Sequence, residues 1–306
     1  MDEFELISRY FDRQTTATGV NVGIGDDGAV LTPDPSKQQV QVIDTLVEGV
    51  HFPPHTNAAD IAYRCVAVNL SDIAAMGAAP RWMTLALTLN NSDEKWLQSF
   101  ADGLFEAAVQ FDVALVGGDT TSGPVVTASI AVTGEVETGK ALLRSGAKEG
   151  DSIYVTGTVG DAAAGLQLLQ RGEADDFLCK RFLRPTPRVA IGRALLERAS
   201  AAIDISDGLA GDLEKLLTAS GVGADIEIEK LPLSAALRSN FDADQQRNLA
   251  LTGGDDYELC FTSSDPDIET IAATTKIGTV TAGRQLRCLH HGDVVQVDAS
   301  GYRHFQ

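Results

Sequence analysis

Strand-like runs alternate with helix-spaced segments along the whole 306-residue chain. That alternation admits α/β or α+β architectures, in which sheets are covered by helices. The runs VQVID (40–44), MTLALTL (83–89), VALVGGD (113–119) and VVTASIAVTGEV (125–136) read as strands, and 58–76 and 93–109 carry apolar residues at helical spacing. Glycine and charge crowd 142–157, so a boundary is expected near 148, dividing the chain into 1–148 and 149–306. Beyond it, helices are expected at 160–170, 187–199 and 207–219, and strands at 201–205, 224–229, 257–262, 276–281 and 293–298. The opening MDEFELISRYF sets Phe4, Ile7 and Phe11 at helical spacing and reads as a surface helix, its acidic start being unlike a secretory leader.

A hydrophobic share of 44% and a charged share of 22% are ordinary for a soluble globular protein. The net charge of -19 argues against nucleic acid or an anionic membrane as partner, since both need clustered Lys and Arg. No apolar run approaches membrane-spanning length. The same charge sets a problem for any phosphorylated ligand, which needs metal ions or local Arg and Lys to overcome the field. Cys65, Cys179, Cys260 and Cys288 are widely spaced and form no C-x-x-C pair, so the expected setting is a reducing cytoplasm.

VGIGDDGAV (22–30) satisfies G-x-G-x-x-G, the dinucleotide fingerprint. A true fingerprint needs a strand before it and a helix after it. The preceding RQTTATGVN is polar, and Pro33 and Pro35 stop a helix soon after. The glycines therefore serve a turn or an inward-pointing Asp pair, Asp26 and Asp27.

Other acids stand in places where solvated acids are uncommon. Asp44 ends an alternating run, Asp119 follows ALV and two glycines, Asp204 lies inside AAIDIS, and Asp207 opens the next helix. Ligands of α/β sheets gather at carboxyl ends of strands. Asp207 alone could equally cap its helix, whereas Asp204 within an apolar run needs a partner. The segment 65–79 is almost entirely small or apolar, interrupted by Asn69, Ser71 and Asp72. Asn69 and Asp72, three apart, share a helix face and are either hydrogen-bonded internally or turned to a ligand. Carboxylates without nearby cations tolerate one another when Mg²⁺ sits between them, and Mg²⁺ characteristically joins protein acids to phosphates. The glycines of GGDTT (117–121) suit a loop that lets backbone approach phosphate oxygens. Neither a P-loop nor an H-R-D sequence occurs.

Taken together and in order, FELISRYF, GIGDDGAV, DTLVEGVHF, AVNLSDIAAMGAAPRWMTLALTL, VGGDTTSGP, LLRSGAKEGDSIYVTGTVGD, RPTPR, AIDISDGLAGDL, LTGGDDYELCFT and GYRHF resemble the thiamine-monophosphate kinase family. That family belongs to the superfamily of aminoimidazole ribonucleotide synthetase and selenophosphate synthetase. The resemblance implies a two-lobed α/β (α+β), PurM-like fold. Its N-terminal lobe would bind ATP and Mg²⁺ and form a homodimer, and its C-terminal lobe would close the site. It implies transfer of the γ-phosphoryl group of ATP to thiamine monophosphate. Asp27, Asp44, Asp72, Asp119, Asp204 and Asp207 would then be Mg²⁺ ligands. Gly118, Asp119, Arg144 and Ser206 would contact ATP, and His51, Asp255 and Tyr302 would face thiamine monophosphate. Two positions depart from some relatives: Val42 and Ile43 stand where hydroxyl residues can precede Asp44, and Asp255 stands where Glu can occur. The acceptor phosphate is already ionised at neutral pH, so direct in-line transfer without an acid–base residue is expected. The alternatives are another ATP-dependent enzyme of the superfamily, or a protein that binds Mg-nucleotide without turnover. Selenophosphate synthetase chemistry wants a reactive Cys near the N-terminus, and the first here is Cys65.

Overall fold

The computed structural model describes residues 3–13, 17–91, 93–271 and 273–297. The chain divides into a unit of Met1–Ile73 and Ala78–Gly139 and a unit of Ala74–Gly77 and Lys140–Gln306.

In the first unit, α1 (Glu3–Leu6) runs into a wider π-helical turn at Ile7–Phe11. Leu6, Tyr10 and Phe11 are buried, and the Phe11 ring meets Phe100 edge-on at 6.4 Å. Of the expected face, Phe11 is buried and Ile7 half-buried, while the Phe4 side chain lies outside the described residues; Leu6 and Tyr10 join Phe11 because the wide turn changes which side chains share a face. Two short strands follow, β1 (Val20–Val22) and β2 (Val30–Leu31), paired antiparallel. The main sheet comprises β3 (Lys37–Val47), β4 (Ala79–Leu89), β5 (Ala114–Ser122) and β6 (Thr127–Glu137) in the order β3-β6-β4-β5. It is antiparallel except for the β4–β5 pair.

Helices α2 (Ala58–Ala75) and α3 (Glu94–Gln110) supply the apolar cover. Asp93 starts α3 by accepting the Lys95 N–H at 2.8 Å. The helix expected at 65–79 ends earlier, because Gly77 takes a left-handed φ of 68° and β4 begins two residues on. In α3, Gly103 lies so near α2 that a Cβ there would stand 2.1 Å from the Ala59 carbonyl oxygen. GGDTT, expected as a loop, is part of β5. Gly118 fits there because a side chain would meet the Leu85 carbonyl oxygen at 2.0 Å.

The second unit is built on a seven-stranded sheet of order β13-β12-β9-β11-β7-β10-β8. Its strands are β7 (Ser152–Thr156), β8 (Ala201–Asp204), β9 (Gly223–Glu227), β10 (Leu259–Ser263), β11 (Thr274–Thr281), β12 (Leu286–His290) and β13 (Asp293–Val295). Only β9–β12 pair in parallel; the rest are antiparallel. The mixed sheets realise the α+β branch of the expectation. Helices α4 (Asp161–Arg171), α5 (Asp176–Leu183), α6 (Val189–Ala194), α7 (Leu209–Ser220), α8 (Ala235–Asn240) and α9 (Ala243–Thr252) pack around it. The helix expected over 187–199 shrinks to α6, and Glu197 takes a left-handed φ of 63° just beyond it. α5, α8 and α9 escape notice in the sequence because polar residues interrupt their apolar faces. β7 is masked by the charge and glycine before it.

A buried ionic cluster joins α4, α5 and β7 to the segment before β10. Glu258, fully buried, accepts from Arg181 Nη2 at 3.0 Å, Arg188 Nε at 2.6 Å and Thr156 Oγ1 at 2.5 Å. Asp161, also buried, accepts from Ser234 Oγ at 2.6 Å and from the Thr158 hydroxyl. Asp256 accepts the Gly160 and Ala162 N–H groups at 2.6 and 3.1 Å, at the start of α4. Burial pushes the Asp256 carboxyl up to about 7, against the pull of Arg181 and these two amides.

Two consequences can be measured. Gly103→Ala should cost about 1–3 kcal/mol of unfolding free energy by prying α3 from α2, read from urea denaturation; an unchanged midpoint would contradict the close approach. Asp256 holds its proton more tightly folded than unfolded, so its contribution to stability is lost as pH rises from about 4 to about 7. The stability difference between about pH 5 and about pH 8 should therefore be smaller in Asp256→Asn than in the unaltered chain. Equal differences would refute the buried-carboxyl assignment.

Candidate functional site

Seven residues, Gly23–Ala29, connect β1 to β2, and together with β5 and the Ile7–Phe11 turn they line a cavity of about 610 Å³. No helix follows the glycines; β2 does, so the fingerprint match is a hairpin loop. Gly25 supplies the left-handed φ of 117° that turns it. Asp26, Asp27 and Asp119 are exposed and line the cavity with Gly117, Gly118 and Thr120. Asp26 Oδ1 accepts the Asp27 N–H at 2.8 Å, so one carboxylate braces the loop that presents the other. The structure thus brings Asp27 and Asp119 to one cavity, with the β5 backbone beside them.

Asp44 and Asp72 do not line it. Asp44 lies on β3 opposite Ile130, and the row continues through Leu85 to Gly118. β3 and β5 are the two edges of the sheet, which separates Asp44 from Asp119 by roughly 14 Å, three strand spacings. Asp44 is half-buried and close enough to α2 that, after burial itself, its charge helps raise the Cys65 thiol to about 12. The Cys65 carbonyl accepts Asn69 Nδ2 at 2.9 Å. Asn69 is wholly buried, and its Oδ1 has no hydrogen-bond partner among the described residues. Asp72 stands half-buried one turn further along. His51 closes the turn after β3, where its Nδ1 accepts the Val47 N–H at 3.0 Å. An acceptor Nδ1 fixes a neutral imidazole with its proton on Nε2.

In the second unit, β8 ends in Asp204, which is 4% exposed and pairs with Leu259. Asp207, expected to open α7, lies in the turn before it; Gly208 is the capping residue, with a φ of 113° and no side chain to cap with. Asp212, in the first turn of α7, instead ties down the loop that leads into the helix. Its Oδ2 accepts the Ser206 and Asp207 N–H groups, both at 2.9 Å, and burial raises its carboxyl above the usual range. Lys215 Nζ bridges Asp212 Oδ1 at 2.7 Å and Asp207 Oδ2 at 2.6 Å.

The Ser206 carbonyl in turn accepts the Asp255 N–H at 2.9 Å, and Ile205 accepts that of Tyr257 at 2.9 Å. Asp255 and Tyr257 both take left-handed φ, 70° and 51°, and the Tyr257 hydroxyl donates to Asp255 Oδ1 at 3.1 Å. Strained backbone at two non-glycine residues persists only where surrounding contacts over-determine it, and functional sites are where such strain collects. Ser206, Asp207 and Asp255 therefore form one hydrogen-bonded cluster, with Asp204 at its base. Arg144 is exposed; its carbonyl accepts Ser220 Oγ at 3.0 Å, and that oxygen accepts the Gly146 and Ala147 N–H groups. Tyr302 lies outside the described residues. Asp212, Lys215 and Tyr257 went unnoticed in the sequence; only the acid inside the apolar run LAGDL was a signal.

Among the described residues, no three acidic, histidine or cysteine side chains converge tightly enough to hold a metal ion by themselves. Hard carboxylate donors in ones and twos fit Mg²⁺, which keeps several waters and completes its shell with phosphate oxygens. The Asp207–Asp212 pair already gathers one cation, the Lys215 ammonium. No described helix is long and apolar enough to cross a membrane.

Comparison with known proteins gives this geometry a family. Residues 25–136 match the N-terminal domain, and 148–290 the C-terminal domain, of AIR synthase related proteins. The thiamine-monophosphate kinase of Escherichia coli K12 is 48% identical, over 99% of this chain and 98% of its own length. That of Bacillus subtilis is 36% identical over 100% of both chains. A solved thiamine-monophosphate kinase from Stenotrophomonas maltophilia K279a superposes with a TM-score of 0.89 at 43% identity, covering 96% of this chain and 98% of that one. A solved AaThiL complexed with AMPPCP and TMP gives 0.82 at 32% identity, covering 99% and 96%. The chain belongs to the thiamine-monophosphate kinase family of AIR synthase related proteins.

Proposed function

We propose that the chain transfers the γ-phosphoryl group of ATP to thiamine monophosphate, yielding thiamine diphosphate and ADP. The observation that carries this is the 48% identity to the Escherichia coli kinase over nearly the full length of both chains. The AaThiL complex with AMPPCP and TMP, read as an ATP analogue and thiamine monophosphate, supports both co-substrates.

The nucleotide reading rests on Asp27 and Asp119 sharing the 610 Å³ cavity with the Gly118 backbone, and on Ser206 and Arg144 in the second unit. Magnesium would be held by Asp27, Asp44, Asp72, Asp119, Asp204 and Asp207. Bound there, it supplies charge neutralisation between phosphates that otherwise repel one another and the protein. Asp255, braced by the Tyr257 hydroxyl, offers a carboxylate suited to the cationic and amino groups of the thiamine rings, and His51 offers an Nε2–H suited to the phosphate. No side chain needs to take a proton, because the acceptor oxygen is already anionic; the residues orient and neutralise, and transfer is direct. The four widely spaced cysteines fit a cytoplasmic setting.

Pairing of two copies through the open face of the β3-β6-β4-β5 sheet is supported by its composition. Ile43, 68% exposed, stands there with Thr84, Ala86 and the hydrogen-bonded pair Thr45–Ser129. This uncharged patch lies on a face that carries Asp119, opposite Ala86, at its β5 edge, and it suits an isologous contact centred on β3 and β6.

Incubation with thiamine monophosphate and Mg-ATP should form thiamine diphosphate, with Asp27→Asn lowering kcat by roughly a hundredfold or more without unfolding the chain. Absence of thiamine diphosphate from the unaltered protein would reject the activity. A mutant with full turnover would remove Asp27 alone. Ile43→Lys should convert a dimer to monomer by light scattering; an unchanged mass would exclude that face.

A further inference from the structure

The Asp207 carboxylate, assigned above to a divalent cation, carries a cation of the chain itself. Lys215 Nζ lies 2.6 Å from Asp207 Oδ2 and 2.7 Å from Asp212 Oδ1, two turns into the helix that the Asp207 loop leads into. The two contacts differ in kind. Asp212 is 1% exposed at its side chain, and its other oxygen is fully engaged by the Ser206 and Asp207 amides. Its bond to Lys215 neutralises a buried charge and is costly to break. Asp207 is 34% exposed and Lys215 43% exposed, so their contact is wet and cheap to exchange. Lys215 is thus anchored at Asp212 and only resting on Asp207.

Resting on the reading of Asp207 as a metal ligand, we propose that Lys215 is a tethered counter-cation competing with Mg²⁺ for Asp207. Without metal it neutralises the loop and holds Asp207 beside Ser206. When metal takes Asp207, Lys215 swings off that carboxylate and stays on Asp212. The amide bonds from Asp212 keep Ser206 and Asp207 in place throughout, so the loop is pre-ordered in both conditions. Metal affinity at Asp207 is lowered in proportion, because the incoming ion must displace one charge and then sit near it.

The test is Mn²⁺ binding to the full chain without nucleotide, followed by electron paramagnetic resonance of the free ion. Lys215→Met should tighten binding roughly three- to tenfold, the worth of an exposed ion pair plus relief of repulsion. Lys215→Arg should stay close to the unaltered chain, and Asp207→Asn should weaken binding. Unchanged or weaker binding in Lys215→Met, alongside weakened binding in Asp207→Asn, overturns the competition while leaving Asp207 a ligand. Unchanged binding in Asp207→Asn overturns the ligand reading and the proposal with it. Should Lys215→Met fold poorly, the unaltered protein decides: the Lys215 ammonium resonance, assigned with Lys215→Arg, should shift on adding Mg²⁺ but not on adding Na⁺ at equal ionic strength. A signal blind to Mg²⁺ overturns the proposal.

Discussion

Repulsion between carboxylates, and the different ways it is answered, underlies the arrangement of this chain. Forty-three acidic residues stand against 24 basic ones. Where acids are buried, the chain supplies the answer itself: Glu258 holds two guanidinium groups, Asp256 two amide donors at a helix start, and Asp212 two amides and an ammonium. Asp27 and Asp119, by contrast, stand exposed in a loop and at a sheet edge, lining a cavity of phosphate-accommodating size. The first set spends its charge on structure; the second, on the function proposed above, would keep it for a ligand.

This division explains how an acidic protein can serve phosphates. An arginine-lined pocket would draw any anion, whereas a carboxylate-lined one draws only anions that arrive with a hard divalent cation. The internally answered acids then act as supports. Asp212 fixes the amides of Ser206 and Asp207, and the Ser206 carbonyl holds Asp255 in its strained conformation. Catalysis that needs alignment and neutralisation, with no proton transfer by a side chain, gains from such rigidity.

The architecture was largely legible in the sequence because period-2 runs and helical spacing mark β3, β4, β6, α2 and α3 with little ambiguity. Short elements with mixed faces, such as α5, α8 and α9, were not, since tertiary packing and caps form them more than pattern does. Asp27, Asp72 and Asp119 could be singled out as acids among glycines or within an apolar helix. What stayed hidden were relations: that Asp26 braces the Asp27 loop, that Asp212 holds the Ser206 and Asp207 amides ahead of α7, and that Lys215 bridges Asp207 and Asp212. A carboxylate's partner depends on chain reversals that no local window contains. The family resemblance identified the same acids, yet said nothing of Lys215 or Tyr257.

On the function proposed above, the acids recruit phosphate only through divalent cations. Calorimetric titration of a non-hydrolysable ATP analogue, with excess Mg²⁺ and again with EDTA, addresses it directly. Saturable binding with Mg²⁺ and none detectable with EDTA is the predicted result. Equal affinity under both conditions would mean that protein cations hold the phosphates, and would contradict the account.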